Sequence, residues 1–194
     1  MLEANARFYA FQGHAIVSVD DRIAAASGQK PPSLRNDADW QHFQAALDRA
    51  AVIVLGRLGH ESNPNHKGRN RLVLSASARG LERRADAWWW NPAEASLTDV
   101  LAATAPEGGI VAVPGGMRVF DYFLDVGFDE FHLVRVAGTW IPDGIPVFSS
   151  VDDGHGAGAI LTAHGLAPGP TEALDPEARV SLTVWRAGGP RPPA

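Results

Sequence analysis

Two adjacent glycines, Gly115 and Gly116, interrupt the stretch Ile110 to Leu124 (IVAVPGGMRVFDYFL). The run Ile110-Val111-Ala112-Val113 before them is apolar and mostly β-branched, the composition of a parallel strand buried on both faces. Val119, Phe120, Phe123 and Leu124 after them recur at helical spacing. A strand that turns through bare glycines into a helix points free backbone N–H groups at whatever docks there, and a phosphate suits that geometry. The chemistry indicated is nucleotide binding by an α/β enzyme.

Asp37 stands at the start of a second helical pattern. Asn36 is placed to cap that helix by accepting from the backbone N–H of Asp39. Trp40, Phe43, Leu47 and Ala50 or Ala51 then form one apolar stripe, with Asp37 on its shoulder near Gln41 and Gln44. Two readings of Asp37 stay open: an acid lining a pocket, or a solvated first-turn acid facing the helix dipole, which the pattern favours.

The histidines give no metal pattern. His60 and His66 share the segment GHESNPNHKG with Glu61, but the spacing matches no zinc motif and the composition is that of a surface loop. His132 falls in a strand as a core residue, and His155 in the glycine-rich DDGHGAG. No metal site is expected. No G-x-S-x-G elbow is present. With no cysteine in the chain, disulfides, thiol nucleophiles and zinc–thiolate sites are excluded.

The elements that must position these residues follow from periodicity. Strands are predicted at 13–19, 51–55, 71–75, 87–90, 110–113, 130–136, 159–163 and 180–185, and helices at 37–50, 96–104 and 116–125. The triplet Trp88-Trp89-Trp90 is read as core filling, with Trp88 and Trp90 on one sheet face and Trp89 on the other. Early strands alternate with helices while late strands follow each other directly, so the sheet is mostly parallel with antiparallel C-terminal strands and flanking helices.

The 194 residues suit one domain over 1–187, with the tail 188–194 (GGPRPPA) disordered. A hydrophobic share of 45% supports a real core. The net charge of −5 and the lack of a Lys/Arg cluster argue against nucleic acid. No apolar run approaches the roughly 18 residues of a membrane span, and the first residues do not resemble a signal peptide. A soluble, cytoplasmic protein is expected, as a monomer or homodimer.

Taken in order, several segments from about Gly13 to Phe148 resemble the dihydrofolate reductase superfamily. They are Ser33-Leu34-Arg35-Asn36-Asp37, Val52-Ile53-Val54-Leu55-Gly56-Arg57, Lys67 to Ser75, and Val113-Pro114-Gly115-Gly116-Met117-Arg118-Val119-Phe120. Ser18 to Ala24 and Gly144-Ile145-Pro146-Val147-Phe148 look more like the branch of riboflavin-pathway reductases. The resemblance implies a single-domain α/β fold and a cis Gly115–Gly116 bond. It implies NADPH as cofactor, held by Gly56, Arg57, Leu74 and Ser75 and by Gly115, Gly116, Met117, Arg118 and Val119. It also implies a small heterocyclic substrate against Trp40, Gln41, Arg69 and Val134. Asp37 would assist protonation of a substrate nitrogen, and Arg57 would clamp the adenosine 2′-phosphate.

Departures from the pattern fall in the pterin pocket, at Pro32 and Val134, and beside the cofactor, at Gly59 and Met117. Pro32 replaces a tryptophan, Val134 a threonine, Gly59 another threonine and Met117 a third glycine. The expected activity is hydride transfer from NADPH to a C=N or C=O bond of a pterin- or pyrimidine-like ring. The alternatives are a true dihydrofolate reductase and a binding module of the same fold without chemistry.

Overall fold

The computed structural model describes residues 8–189. Its centre is four parallel strands: β1 (Tyr9–Val17), β3 (Val52–Gly56), β7 (Gly109–Gly115) and β8 (Glu130–Val136). β1 lies between β7 and β8, and β3 pairs with the far side of β7. β4 (Arg71–Leu74) and β6 (Ala87–Trp90) extend the parallel sheet, and β5 (Leu81–Arg84) closes that edge antiparallel to β6. On the other side β11 (Val180–Ala187) runs antiparallel to β8, and β10 (Leu166–Asp175) forms the edge. The order is β10-β11-β8-β1-β7-β3-β4-β6-β5. A separate small pair joins β2 (Arg22–Ala24) to β9 (Ile145–Pro146).

Period-2 alternation sends the strands' side chains to two cores. Val52, Val54, Leu72, Trp90, Val111 and Val113 face α3 (Leu97–Thr104), α4 (Met117–Val126) and α5 (Ala157–Ala163). Ile53, Leu55, Val73, Trp89 and Ala112 face α1 (Asp37–Arg49). On that second face, Ile16, Leu34, Val134 and Val136 form a further cluster with Val180 and Leu182. The tryptophan triplet therefore divides as its alternation requires, Trp88 and Trp90 to one core and Trp89 to the other.

Chain direction fixes where function can sit. β1, β3, β7 and β8 all end at one edge of the sheet. α4 starts where β7 ends, and the short α2 (Arg57–Ser62) starts where β3 ends. α1 starts at that edge too: Asn36 Nδ2 donates to Asp175, whose strand partner Val180 is paired to Val136 at the end of β8. In open α/β sheets this carboxyl edge is where ligands bind.

Three expectations are corrected. The segment 159–163 is helix within α5, because Ala157, Ile160 and Leu161 bury at i, i+3 and i+4 and Asp21 accepts the Ala157 N–H from a distant loop. Short apolar runs do not separate helix from strand by period alone. Residues 57–62, read as loop, form α2. β10 was not expected, since Pro168 and Pro170 discourage a strand; at an edge they are tolerated, and its register is broken between Pro168 and Thr171. The expected disordered tail falls almost wholly outside the described residues.

Candidate active site at the carboxyl edge of the sheet

The floor of the site is built by the two glycines. The Gly115–Gly116 peptide is cis. Gly115 has φ +94°, and a Cβ there would lie 2.3 Å from Phe120 Cε2 and 2.5 Å from its Cζ, so the residue's lack of a side chain is a steric requirement. Phe120 is itself buried in the core, at 1% exposure. Gly116 is exposed and caps α4 without any side chain bonding to the first turn. The N–H groups that begin α4 are thus left to solvent or a ligand. Arg118, exposed one residue into that turn, forms no ion pair among the described residues.

The second uncapped start lies alongside. Leu55 is in register with Gly115, and a Cβ on Gly56 would sit 3.4 Å from Val119. Gly56 caps α2, again without a side-chain bond. Arg57, the first residue of α2, is half exposed and makes a surface ion pair with Glu61 at 3.1 Å. Leu74 ends β4, and Ser75 follows it, bonded to Ser77 Oγ at 2.9 Å. Gly56, Arg57, Gly115, Gly116, Met117, Arg118 and Val119 therefore lie together along one ridge, with Gly115 and Val119 buried beneath it and Leu74 and Ser75 next in strand order.

Over this ridge runs the segment 18–24. Ile23 Cδ1 would lie 3.7 Å from a Cβ on Gly116. The segment is pinned from below: Arg135 donates to the carbonyls of Ser18 and Val19 at 2.9 and 3.1 Å and pairs with Asp21. Asp21, 7% exposed, also accepts the N–H of Ala157 at 2.9 Å.

The start of α1 brings two carboxylic acids, Asp37 and Asp39, to this edge. Asn36 Oδ1 accepts the Asp39 N–H at 3.1 Å, the cap read from sequence. Asp37 is exposed, whereas Asp39, 8% exposed, points inward. Burial raises the Asp39 carboxyl above the usual carboxylate range, and the charges of Lys30 and His42 act against that rise. Sequence reasoning missed Asp39. The other substrate-side residues are scattered. Trp40 is exposed at 54%, its ring 6.0 Å from Phe43, and so builds no wall around an acid; Gln41 is exposed. Val134 is buried with Ile16 and Leu34. The Arg69 guanidinium is engaged by Asp48 and by Gln44 Oε1 at 2.9 Å, tying the 65–69 turn to the far end of α1.

A mostly parallel sheet with helices on both faces and two helix starts without a side-chain cap at its carboxyl edge defines an α/β protein whose open edge is the usual ligand-binding end of such sheets. More narrowly, this is the dihydrofolate reductase-like fold. A dihydrofolate reductase from Enterococcus faecalis, complexed with NADP(H) and RAB-propyl, superimposes with a TM-score of 0.62 at 14% identity, over 93% of this chain and 97% of that one. A "Putative riboflavin biosynthesis protein" from Shewanella sp. PV-4 gives a TM-score of 0.62 at 17% identity, over 91% of this chain and 98% of that one. No family model and no curated protein matches the sequence. Among the described residues no helix is long and apolar enough to cross a membrane.

Proposed function

We propose that this chain is an NADPH-dependent reductase of a small pterin- or pyrimidine-like heterocycle, with Asp39 as the group that holds the proton for the ring nitrogen. The observation that carries the reading is a carboxyl group buried at the same sheet edge as the uncapped start of α4. The two solved structures support it by fold, and the NADP(H) complex among them supports the choice of cofactor.

The residues fit a dinucleotide. The first N–H groups of α4 would hold its phosphates, which approach closely because Gly116 carries no side chain. Arg57 would turn from Glu61 to a 2′-phosphate, since an exposed ion pair is weak and a phosphate offers a stronger bidentate partner. NADPH supplies a hydride when bound. Asp39 keeps its proton to higher pH than a solvated carboxyl and gives it, directly or through water, to the substrate nitrogen. Ile23 and the pinned 18–24 segment would cover the ridge and exclude water. Arg69 has no part in this arrangement, and Asp37 stands outside it in solvent.

The test is NADPH oxidation with dihydropterins and with deaminated pyrimidine precursors of flavins. Turnover should be level at low pH and fall about tenfold per pH unit above the raised Asp39 value. Asp39→Asn should cut turnover by roughly tenfold or more, remove that pH dependence and leave NADPH affinity intact. Asp37→Asn should change neither. The same shift has a sign for stability: between the ordinary carboxylate value and the raised one, the unfolded chain ionises and the folded one does not. Stability therefore falls as pH rises through that window. Wild-type turnover in Asp39→Asn, or NADPH binding with no turnover of any such ring, would leave a binding module.

A further inference from the structure

Three histidines from distant parts of the chain meet under α1. β1 and β8 are parallel neighbours with His14 directly opposite His132, so both imidazoles stand on the same sheet face, ring centroids 4.5 Å apart. α1 crosses that face and brings His42 Nε2 to 3.2 Å from His132 Nδ1. One ring nitrogen from each of the three lies within 4.8 Å of the others. Three nitrogens bound to one tetrahedral ion at about 2.05 Å would be separated by about 3.3 Å, so small side-chain rotations close the set.

Two further details point to a ligand. His14 is 6% exposed, yet its Nε2 has no hydrogen-bond partner among the described residues. A buried polar atom left bare is uncommon, and a bond to an ion would satisfy it. His132 Nε2, on the far side of its ring from His42, is 3.2 Å from Glu130 Oε2. A carboxylate behind a ligand histidine fixes its tautomer and leaves Nδ1 free to coordinate. Glu130 is itself held by Gln12 Nε2 at 3.1 Å and Arg186 Nε at 3.0 Å. Gln12, Glu130 and Arg186 also wall a surface cleft, so solvent reaches Glu130.

We propose that His14, His42 and His132 bind one divalent transition-metal ion of the zinc class, with a fourth position open to water. Three imidazoles and an open position make a recognised zinc donor set, and no thiolate is needed. The site is argued from residues other than those of the α4 edge; His42 lies one turn along α1 from Asp39 and its charge acts on that carboxyl, so metal binding is read without turnover.

The test uses the full chain, stripped with chelator and dialysed. Zn²⁺ titrated by calorimetry should bind at one equivalent, and Co²⁺ should give the intense visible bands of a tetrahedral site. Zn²⁺ should raise the melting temperature. His42→Gln should weaken zinc binding at least about a hundredfold and remove the thermal shift, and Glu130→Gln should weaken it by about 10–100-fold. If His42→Gln fails to fold, the Glu130→Gln comparison decides. No binding, a six-coordinate cobalt spectrum, or equal affinity in wild type and in the folded variants would overturn the site. Equal affinity would assign the ion to surface histidines instead.

Discussion

Adding a single methyl group at Gly116 separates the ligand role of the α4 start from its role in the fold. Gly116 has φ −67°, a conformation open to alanine. Its new Cβ would meet Ile23 Cδ1 at 3.7 Å, an ordinary contact. Unfolding free energy should therefore hold or rise by up to about 1 kcal/mol, since alanine narrows the unfolded ensemble. The same methyl would stand on the exposed ridge where an anion must come within hydrogen-bond distance of backbone N–H groups. Losing one or two such charge-assisted bonds should lower NADPH affinity by about ten- to a hundredfold, or about 1.4–2.7 kcal/mol. Gly115→Ala behaves oppositely. There φ is +94° and the new Cβ falls 2.3 Å from the buried Phe120 ring, so overpacking and the left-handed backbone together cost about 2–5 kcal/mol. Urea denaturation and equilibrium NADPH titration on the same preparations give both quantities. Gly116→Ala with unchanged affinity, or with its affinity loss explained by lost stability, would refute the phosphate site.

Two smaller perturbations probe neighbouring parts of the edge. Arg57→Ala breaks only a half-exposed pair with Glu61, so stability should stay within about 0.5 kcal/mol; the preference for NADPH over NADH, read from paired titrations, should drop about tenfold or more, and equal losses for both cofactors would remove Arg57 from the 2′-phosphate. Asp21→Ala leaves the Ala157 N–H without its acceptor and removes the carboxylate partner of Arg135, which keeps the Ser18 and Val19 carbonyls, and it puts alanine at φ +58°, a loss of about 2–4 kcal/mol by urea denaturation; a neutral result would show that the Asp21 carboxylate does not hold the 18–24 segment.

The sequence revealed the frame wherever side-chain chemistry and backbone geometry agreed. Ala87–Trp90 and Glu130–Val136 lie where the periodicity put them, the first as an apolar run and the second by its alternation of Phe131, Leu133 and other apolar residues with polar ones. The glycine pair was legible since few other residues could pass Phe120 at that turn. α1 was legible in extent but not in orientation. Its stripe was drawn through Trp40, Phe43 and Leu47 from the spacing of apolar residues alone. Inward-facing residues are instead Asp39, Phe43, Ala46 and Leu47, with Trp40 in solvent. Asp37 and Asp39 are two positions, about 200°, apart around the helix, so choosing between them is choosing a face.

The residues that misled the pattern are polar side chains buried beneath α1. A buried carboxyl has an energetic cost that apolar periodicity cannot anticipate, and so does a bare imidazole nitrogen. Asp39 and His42 on α1, His14 on β1 and His132 on β8 all occupy the layer between the helix and the sheet. Hydrophobic side chains at those positions would give a simpler core. β1 and β8 come together across more than a hundred residues, so no local spacing could have paired His14 with His132; only the register does. Four polar side chains retained in one otherwise apolar layer make the underside of α1, as much as its first turn, the place where this chain departs from what folding alone requires.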